Sequence, residues 1–316
     1  MRAVRFHRYG GPEVLQYEEV DDPKAGEDQV VIAVEAAGIG YTDIQLRAGA
    51  LKSWAPDLPL PFVAGHEVVG RVVDGDPSWQ GRRVLAQSVM GGGYAELIAV
   101  QEQALVPLPD AMDAHEALAL LTQGTVAVGL METARVKAGE TVLVEAASGG
   151  VGSQLVQLAK RAGTRVVAGV RGQEDADFAR ELGADAVVDL ARNDWAQDVE
   201  GPVQVVFESV GGAVSAAALD LLEPTVGRMV LYGNITGVPH EIDTALVYQR
   251  ALSILGFATV MMPPGRIAPL RARAFELAAA GQLKPVVGSV LPLAEAAAAH
   301  QRFEEGASRG KTVLIP

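Results

Sequence analysis

Residues 141–152, TVLVEAASGGVG, constrain the fold more than any other stretch. A Val-rich run leads into a turn of small residues, Ala147-Ser148-Gly149-Gly150-Val151-Gly152, and a helical pattern, SQLVQLAKRAG, opens at once and stops at Gly163. A buried strand that turns on glycines straight into a helix is the first half of a βαβ unit. The alternation continues with strand RVVAGV (165–170), helix EDADFARELG and strands AVVDL and VQVVFESV (203–210). Helix VSAAALDLL, strand RMVLYG (228–233) and strand ALSILGF (251–257) follow. Strands this rich in valine, with no polar face, are covered on both sides, so this part reads as a doubly wound parallel sheet.

The flanking sequence has another texture. Up to about residue 110, short runs (MRAVRF, QVVIAVEAAGI, EVVGRVV, RRVLAQ, YAELIAV) are separated by Pro and Gly clusters, the pattern of a β-barrel. A helical stretch follows, with Asp110 or Asp113 as its cap. After the parallel sheet the tail returns to a helix (265–281), strand VVGSVLP, a helix (293–306) and strand KTVLIP, which is expected to complete the first domain. A chain of 316 residues suits two domains. The expected division is 1–115 with 260–316, and 116–259 between them.

The turn matches A-x-G-x-x-G, a variant of the dinucleotide-binding fingerprint. Gly149 would let the backbone approach a pyrophosphate, Gly152 would let helix and strand pack closely, and the helix N-terminus would offer free N–H groups. About 20 residues on, an NAD-selective site carries an acid. Here Arg171 stands there, and a guanidinium suits a 2′-phosphate, which favours NADPH over NADH. Glu174 and Asp175 are the competing acids.

Charge and cysteine content narrow the function classes. Lys and Arg total 26 against 39 Asp and Glu, a net charge of -13, which argues against a nucleic-acid partner. There is no cysteine, hence no disulfide, no thiolate nucleophile and no Cys-ligated metal. No secretory h-region opens the chain and no membrane span is expected, so the plain expectation is a cytoplasmic protein.

AASGGVGSQLVQLAK preceded by VKAGETVLV, the opening MRAVRFHRYGGPEVLQYEEV, GGGYAELIAV (91–100) and the closing GKTVLIP together resemble the zinc-independent quinone oxidoreductase branch of the medium-chain dehydrogenase/reductase superfamily. The resemblance runs the length of the chain. It implies a GroES-like β-barrel catalytic domain interrupted by a Rossmann domain, and a homodimer paired through a Rossmann edge strand near 251–257. By position it implies cofactor contacts at Thr125, at Ser209-Val210-Gly211, at Tyr232-Gly233-Asn234 and at Phe257, Ala258 and Thr259, beside Ala147 to Gly152 and Arg171. Two places where NADPH-selective members carry Lys and Tyr hold Asp175 and Leu190 here.

The same resemblance bears on zinc. Gly65-His66-Glu67 matches the GHE of the zinc branch, but Gly40-Tyr41-Thr42-Asp43 stands where that branch has Cys-His-Thr-Asp, and the structural zinc loop is replaced by the turn 90–94. About three ligands are needed; His66, Glu67 and Asp43 could supply three in principle, but with no thiolate no functional zinc is expected. Without a Lewis acid, the remaining chemistry is hydride transfer to an acceptor polarised by conjugation: a quinone or an α,β-unsaturated carbonyl. Tyr41, Gln45 and His66 are the polar candidates at the acceptor, because the tyrosine of related enoyl reductases is missing from Asp43–Lys52. Trp54, Leu58, Tyr248, Met261 and Met262 are candidate walls of an apolar substrate mouth. The alternatives are an enone or 2-enoyl thioester reductase, with a basic rim from Arg47, Lys52 or Arg266, and an NADPH-binding protein without turnover.

Overall fold

The computed structural model describes residues 1–51, 58–88 and 91–316. Lys52 and Trp54, and the first residue of the turn at 90–94, lie outside the described residues. The chain divides into two compact units, 1–121 with 287–316, and 122–286.

In the first unit, strand Gln29–Ile39 is the centre of a mostly antiparallel sheet. The order is Val287–Pro292, Lys311–Ile315, Gln29–Ile39, Glu67–Asp74, Arg83–Gln87, Leu105–Pro107, with Leu97–Gln101 also on the central strand. A smaller sheet joins Gln16–Glu19, Arg2–Phe6 and Phe62–Val63. Phe6, Ile32, Val68, Val84, Tyr94 and Leu314 fill the core between them. The closing strand Lys311–Ile315 pairs with residues 37–39, and of the expected tail residues 287–316 join this unit.

Helix Tyr41–Ala48 was not expected from the sequence. It is short, but both ends carry their signals: the Asp43 carboxylate accepts the Gly40 N–H at 2.8 Å, and Gly49 ends it at φ 76°. These two contacts set the facing of Tyr41, Asp43, Gln45 and Arg47. The next helix begins at Ala114, and of its two candidate caps Asp113 is the one used, accepting His115 and Glu116 N–H. The run Ala114–Ala134 is long and apolar enough to cross a membrane by length and composition, but 72% of its most apolar 18-residue window is buried, as in a core helix.

In the second unit, six parallel strands among the described residues run in the order Ala186–Asp189, Arg165–Val170, Thr141–Val144, Val205–Glu208, Arg228–Leu231, Ser253–Gly256. Numbered along the chain this is 3-2-1-4-5-6, the dinucleotide-binding order, with the topological switch between Thr141–Val144 and Val205–Glu208. Val142, Leu143, Val144, Val205, Val206 and Phe207 have no exposed surface, which explains their lack of alternation. The expected boundary at 259/260 differs from the observed one. Helix Pro264–Ala279 stays with the second unit because Leu270 packs beside Phe257 over Gly129.

Candidate active site

The glycine turn has the shape its motif requires. Strand Thr141–Val144 and helix Gly152–Arg161 flank it. A Cβ on Gly152 would collide with the Ala146 carbonyl oxygen and stand 2.8 Å from Ala147 Cα, so only glycine allows this approach. Gly149 donates its N–H to Ala146 O at 2.9 Å and its carbonyl takes Ser153 N at 2.9 Å. Ala147 is held by Gly169 O at 3.0 Å, and Gly150 and Val151 remain half-buried at the helix entry. No side chain caps this helix; Ser153 and Gln154 N–H are taken by the Gly149 and Val151 carbonyls, which leaves the Val151 and Gly152 N–H groups at the entry for an anion.

Ser148 donates its hydroxyl to Asp175 at 2.9 Å, and both are buried. That bond ties the glycine turn to helix Gln173–Glu181 and takes Asp175 out of competition for a ribose. Arg171, at the end of strand Arg165–Val170, is exposed and has no hydrogen bond or ion pair among the described residues. The residues therefore fit a dinucleotide with a 2′-phosphate.

At the carboxyl ends of the last two strands an open crevice of about 500 Å³ is lined by Tyr232, Gly233, His240, Phe257, Ala258, Met261 and Met262, among others. Six of these were named from the sequence as cofactor or substrate neighbours, and a Cβ on Gly233 would press on the Ser209 side chain at 3.2 Å. Phe257 turns its ring inward against Gly129, leaving its backbone at the crevice. Val210 and Asn234 belong to neighbouring loops joined by Ile235 N to Ser209 O at 2.9 Å. Thr259 begins the short 3-10 helix Thr259–Met261. Thr125 is buried where a π-helical turn, Leu120–Gly124, gives way to helix Thr125–Ala134. Tyr248 is 86% exposed and is not among the residues lining this crevice.

In the first unit, helix Tyr41–Ala48 and the 62–67 segment bring a second polar group together. The Asp43 carboxylate is paired with His66 Nδ1. Burial alone would raise the Asp43 carboxyl, but the His66 ring and the Gly40 N–H hold it below its usual range. Burial pulls His66 down, yet Asp43 and then Glu67 bring it above the ordinary imidazole value. With Nδ1 on Asp43, the His66 side chain keeps 14% of its surface exposed. Tyr41 is different: its ring stacks on Phe303 at 6.4 Å, and burial raises its phenol against a Gln45 hydrogen bond. Gln45 is thus the partner of Tyr41.

The sequence reading did not single out Tyr94, His300 and Lys311. Tyr94 OH meets His300 Nε2 at 3.1 Å, and burial pushes His300 down to about 4. Lys311 is ion-paired with Glu67, both buried. Glu67 is spent on Lys311 and Asp43 on His66, and among the described residues no three His, Asp or Glu side chains gather as a ligand set. This donor set does not fit a catalytic zinc. Arg47 corrects a sequence expectation: it is fully buried and paired with Glu304, so it forms no rim.

Two family models match the chain: "Alcohol dehydrogenase GroES-like domain" over residues 26–110 and "Zinc-binding dehydrogenase" over 182–314. The quinone oxidoreductase of Pseudomonas aeruginosa is 31% identical, covering 100% of this chain and 99% of its own length. The quinone oxidoreductase of Mus musculus is 30% identical over 100% and 98%. Among solved structures, the Escherichia coli quinone oxidoreductase complexed with NADPH superposes with TM-score 0.90 at 27% identity, covering both chains fully. The Thermus thermophilus quinone oxidoreductase, described with its NADPH complex, gives 0.81 at 34% identity, again over both full chains. The chain belongs to the quinone oxidoreductase branch of the medium-chain dehydrogenase/reductase superfamily and is an enzyme of that type.

Proposed function

We propose that this enzyme uses NADPH to reduce a quinone or another conjugated carbonyl, without a metal. The observation that carries the cofactor is the glycine turn that admits no Cβ at Gly152, followed by an exposed, unpartnered Arg171 at the end of the next strand. Relatives in Escherichia coli and Thermus thermophilus are described in complex with NADPH, which supports the same choice here.

Bound, the reduced nicotinamide supplies the hydride. Ala147 to Gly152 and the helix entry receive the pyrophosphate, with Arg171 on the 2′-phosphate. Val210, Tyr232, Gly233, Asn234, Ala258, Thr259 and the Phe257 backbone hold the nicotinamide half, with Thr125 beside it. His66 returns the proton to the carbonyl oxygen of the reduced acceptor. Asp43 fixes its tautomer and favours the imidazolium, as an oriented acid requires. Tyr41, with its phenol raised and bonded to Gln45, is the weaker donor.

A quinone is favoured over a pantetheine-borne thioester by one observation. Of the two described residues expected to form a basic rim, Arg47 is buried on Glu304 and only Arg266 is exposed. The enzyme is read as a cytoplasmic homodimer. Strand Ser253–Gly256 ends the parallel sheet, and Tyr248, Val260 and Met261, exposed by 86%, 70% and 77%, flank it in sequence. Anaerobic oxidation of NADPH on adding a simple quinone tests the activity, and a protein that binds NADPH yet consumes it with no conjugated acceptor would refute it.

A further inference from the structure

Two glutamates are buried at the switch point of the parallel sheet. Glu145 follows strand Thr141–Val144 and Glu208 ends the adjacent strand Val205–Glu208; Glu145 N donates to Phe207 O at 3.2 Å, so the two carboxylates stand side by side. Neither has exposed surface. Glu145 Oε2 accepts Ser209 N–H at 3.2 Å and Val210 N–H at 3.3 Å. Glu208 Oε1 accepts Val210 N–H at 3.1 Å, Gly211 N–H at 2.7 Å and the Ser215 hydroxyl at 3.2 Å. Glu208 Oε2 lies 2.5 Å from His240 Nδ1. Glu145 Oε1 is buried without a further donor, within reach of Glu208.

This arrangement locks two loops. Thr236 donates its hydroxyl to Val210 O at 2.6 Å, Gly212 N reaches Pro239 O at 3.0 Å, and His240 closes the far end on Glu208. Val210 and Asn234, assigned above to the nicotinamide half, lie in these two loops. Two adjacent buried carboxylates cannot both stay charged: burial, and then the Glu208 charge, push the Glu145 carboxyl well above its usual range. The titratable groups around Glu145 are Glu208, His240 and Tyr232, from three neighbouring segments.

We propose that Glu145 and Glu208 share a single proton at neutral pH, and that this one-proton pair, with His240, is the positioning device that shapes the loops 209–212 and 233–240 for the cofactor. The second half of this statement rests on the NADPH reading above; the first half does not. One proton is taken up on folding and held through the window from the ordinary glutamate range up to the raised one. Across that window stability falls as pH rises, because the native state binds one proton more than the unfolded chain. Glu145→Gln keeps the shape and the hydrogen bond to Glu208 but needs no proton.

The experiment is denaturant unfolding of the wild type and E145Q from pH 5.5 to 7.5, with NADPH affinity measured by fluorescence on wild type, E145Q and E145A. The expected ratio of unfolding constants, wild type over E145Q, rises with pH, by up to about tenfold per unit, for as long as the native pair holds its proton. E145A, which removes the acceptor of Ser209 and Val210 N–H, weakens NADPH at least tenfold, and E145Q recovers most of that loss. Parallel stability profiles for wild type and E145Q would overturn the shared proton. Equal affinity in E145A and wild type would overturn the positioning role. If the wild type bound no NADPH, the cofactor reading would fail while the stability ratio still judged the pair. Should E145Q not fold, E208Q carries the same stability test.

Discussion

Replacing Arg171 by alanine separates cofactor choice from fold. The side chain is exposed and makes no hydrogen bond or ion pair among the described residues, so its removal breaks nothing inside the protein. Stability should change by less than about 0.5 kcal/mol. The loss falls on the ligand. A bidentate guanidinium–phosphate pair is worth more than a single hydrogen bond, but solvent screens it at an exposed strand end. About 1–2 kcal/mol is therefore expected, a 5- to 30-fold rise in the NADPH dissociation constant. NADH has no 2′-phosphate, so its affinity should hold within about twofold. Fluorescence titration with both cofactors reads this directly. The gap between them should narrow as salt rises, because the pair is exposed. Equal losses for NADPH and NADH, or a gap insensitive to salt, would refute the assignment.

Three further outcomes follow from the geometry. His66→Asn should lower kcat by about 10²–10⁴-fold with NADPH affinity retained; because the donor is the imidazolium, wild-type kcat should fall as pH rises through the raised His66 value, and Asp43→Asn should move that fall to lower pH. Undiminished kcat in His66→Asn would remove His66 as donor. Gly152→Ala should cost about 1–3 kcal/mol in chemical denaturation and abolish NADPH binding, since its Cβ meets backbone that cannot yield; a stable variant with normal affinity would contradict the close approach. Lys311→Met leaves Glu67 buried and unpaired, and should destabilise by about 3–5 kcal/mol at neutral pH, with recovery in Lys311→Met/Glu67→Gln.

The parallel sheet was legible because its central strands Thr141–Val144, Arg165–Val170 and Val205–Glu208 are buried on both faces, and the glycine turn and the helix after it agreed with that pattern. Its strands fell within a few residues of the observed ones; of the cofactor residues named, Ala147 to Gly152 form the glycine turn and Tyr232, Gly233, Phe257 and Ala258 line the crevice. The helix Tyr41–Ala48 was missed although its signals were present: Gly40 and Asp43 at capping spacing, and Gly49 at the stop. Its eight residues are too few for periodicity to register. The polar networks were illegible for another reason. Tyr94 meets His300, Glu67 meets Lys311, and Glu208 meets His240 only through tertiary structure, across separations no local pattern records. Glu145 did leave a trace, an acid at the end of an otherwise apolar strand beside a glycine turn. The tail boundary failed because helix Pro264–Ala279 is placed by packing over Gly129, which has no sequence signature.

The central claim is turnover of NADPH by a conjugated acceptor. The direct measurement is anaerobic NADPH oxidation by the purified protein, with a simple quinone and a 2-enoyl thioester in parallel. Clear oxidation with the quinone, preferred over the thioester and unchanged by exhaustive chelation, is the expected result. Preference for the thioester, or activity restored only by added zinc, would contradict it.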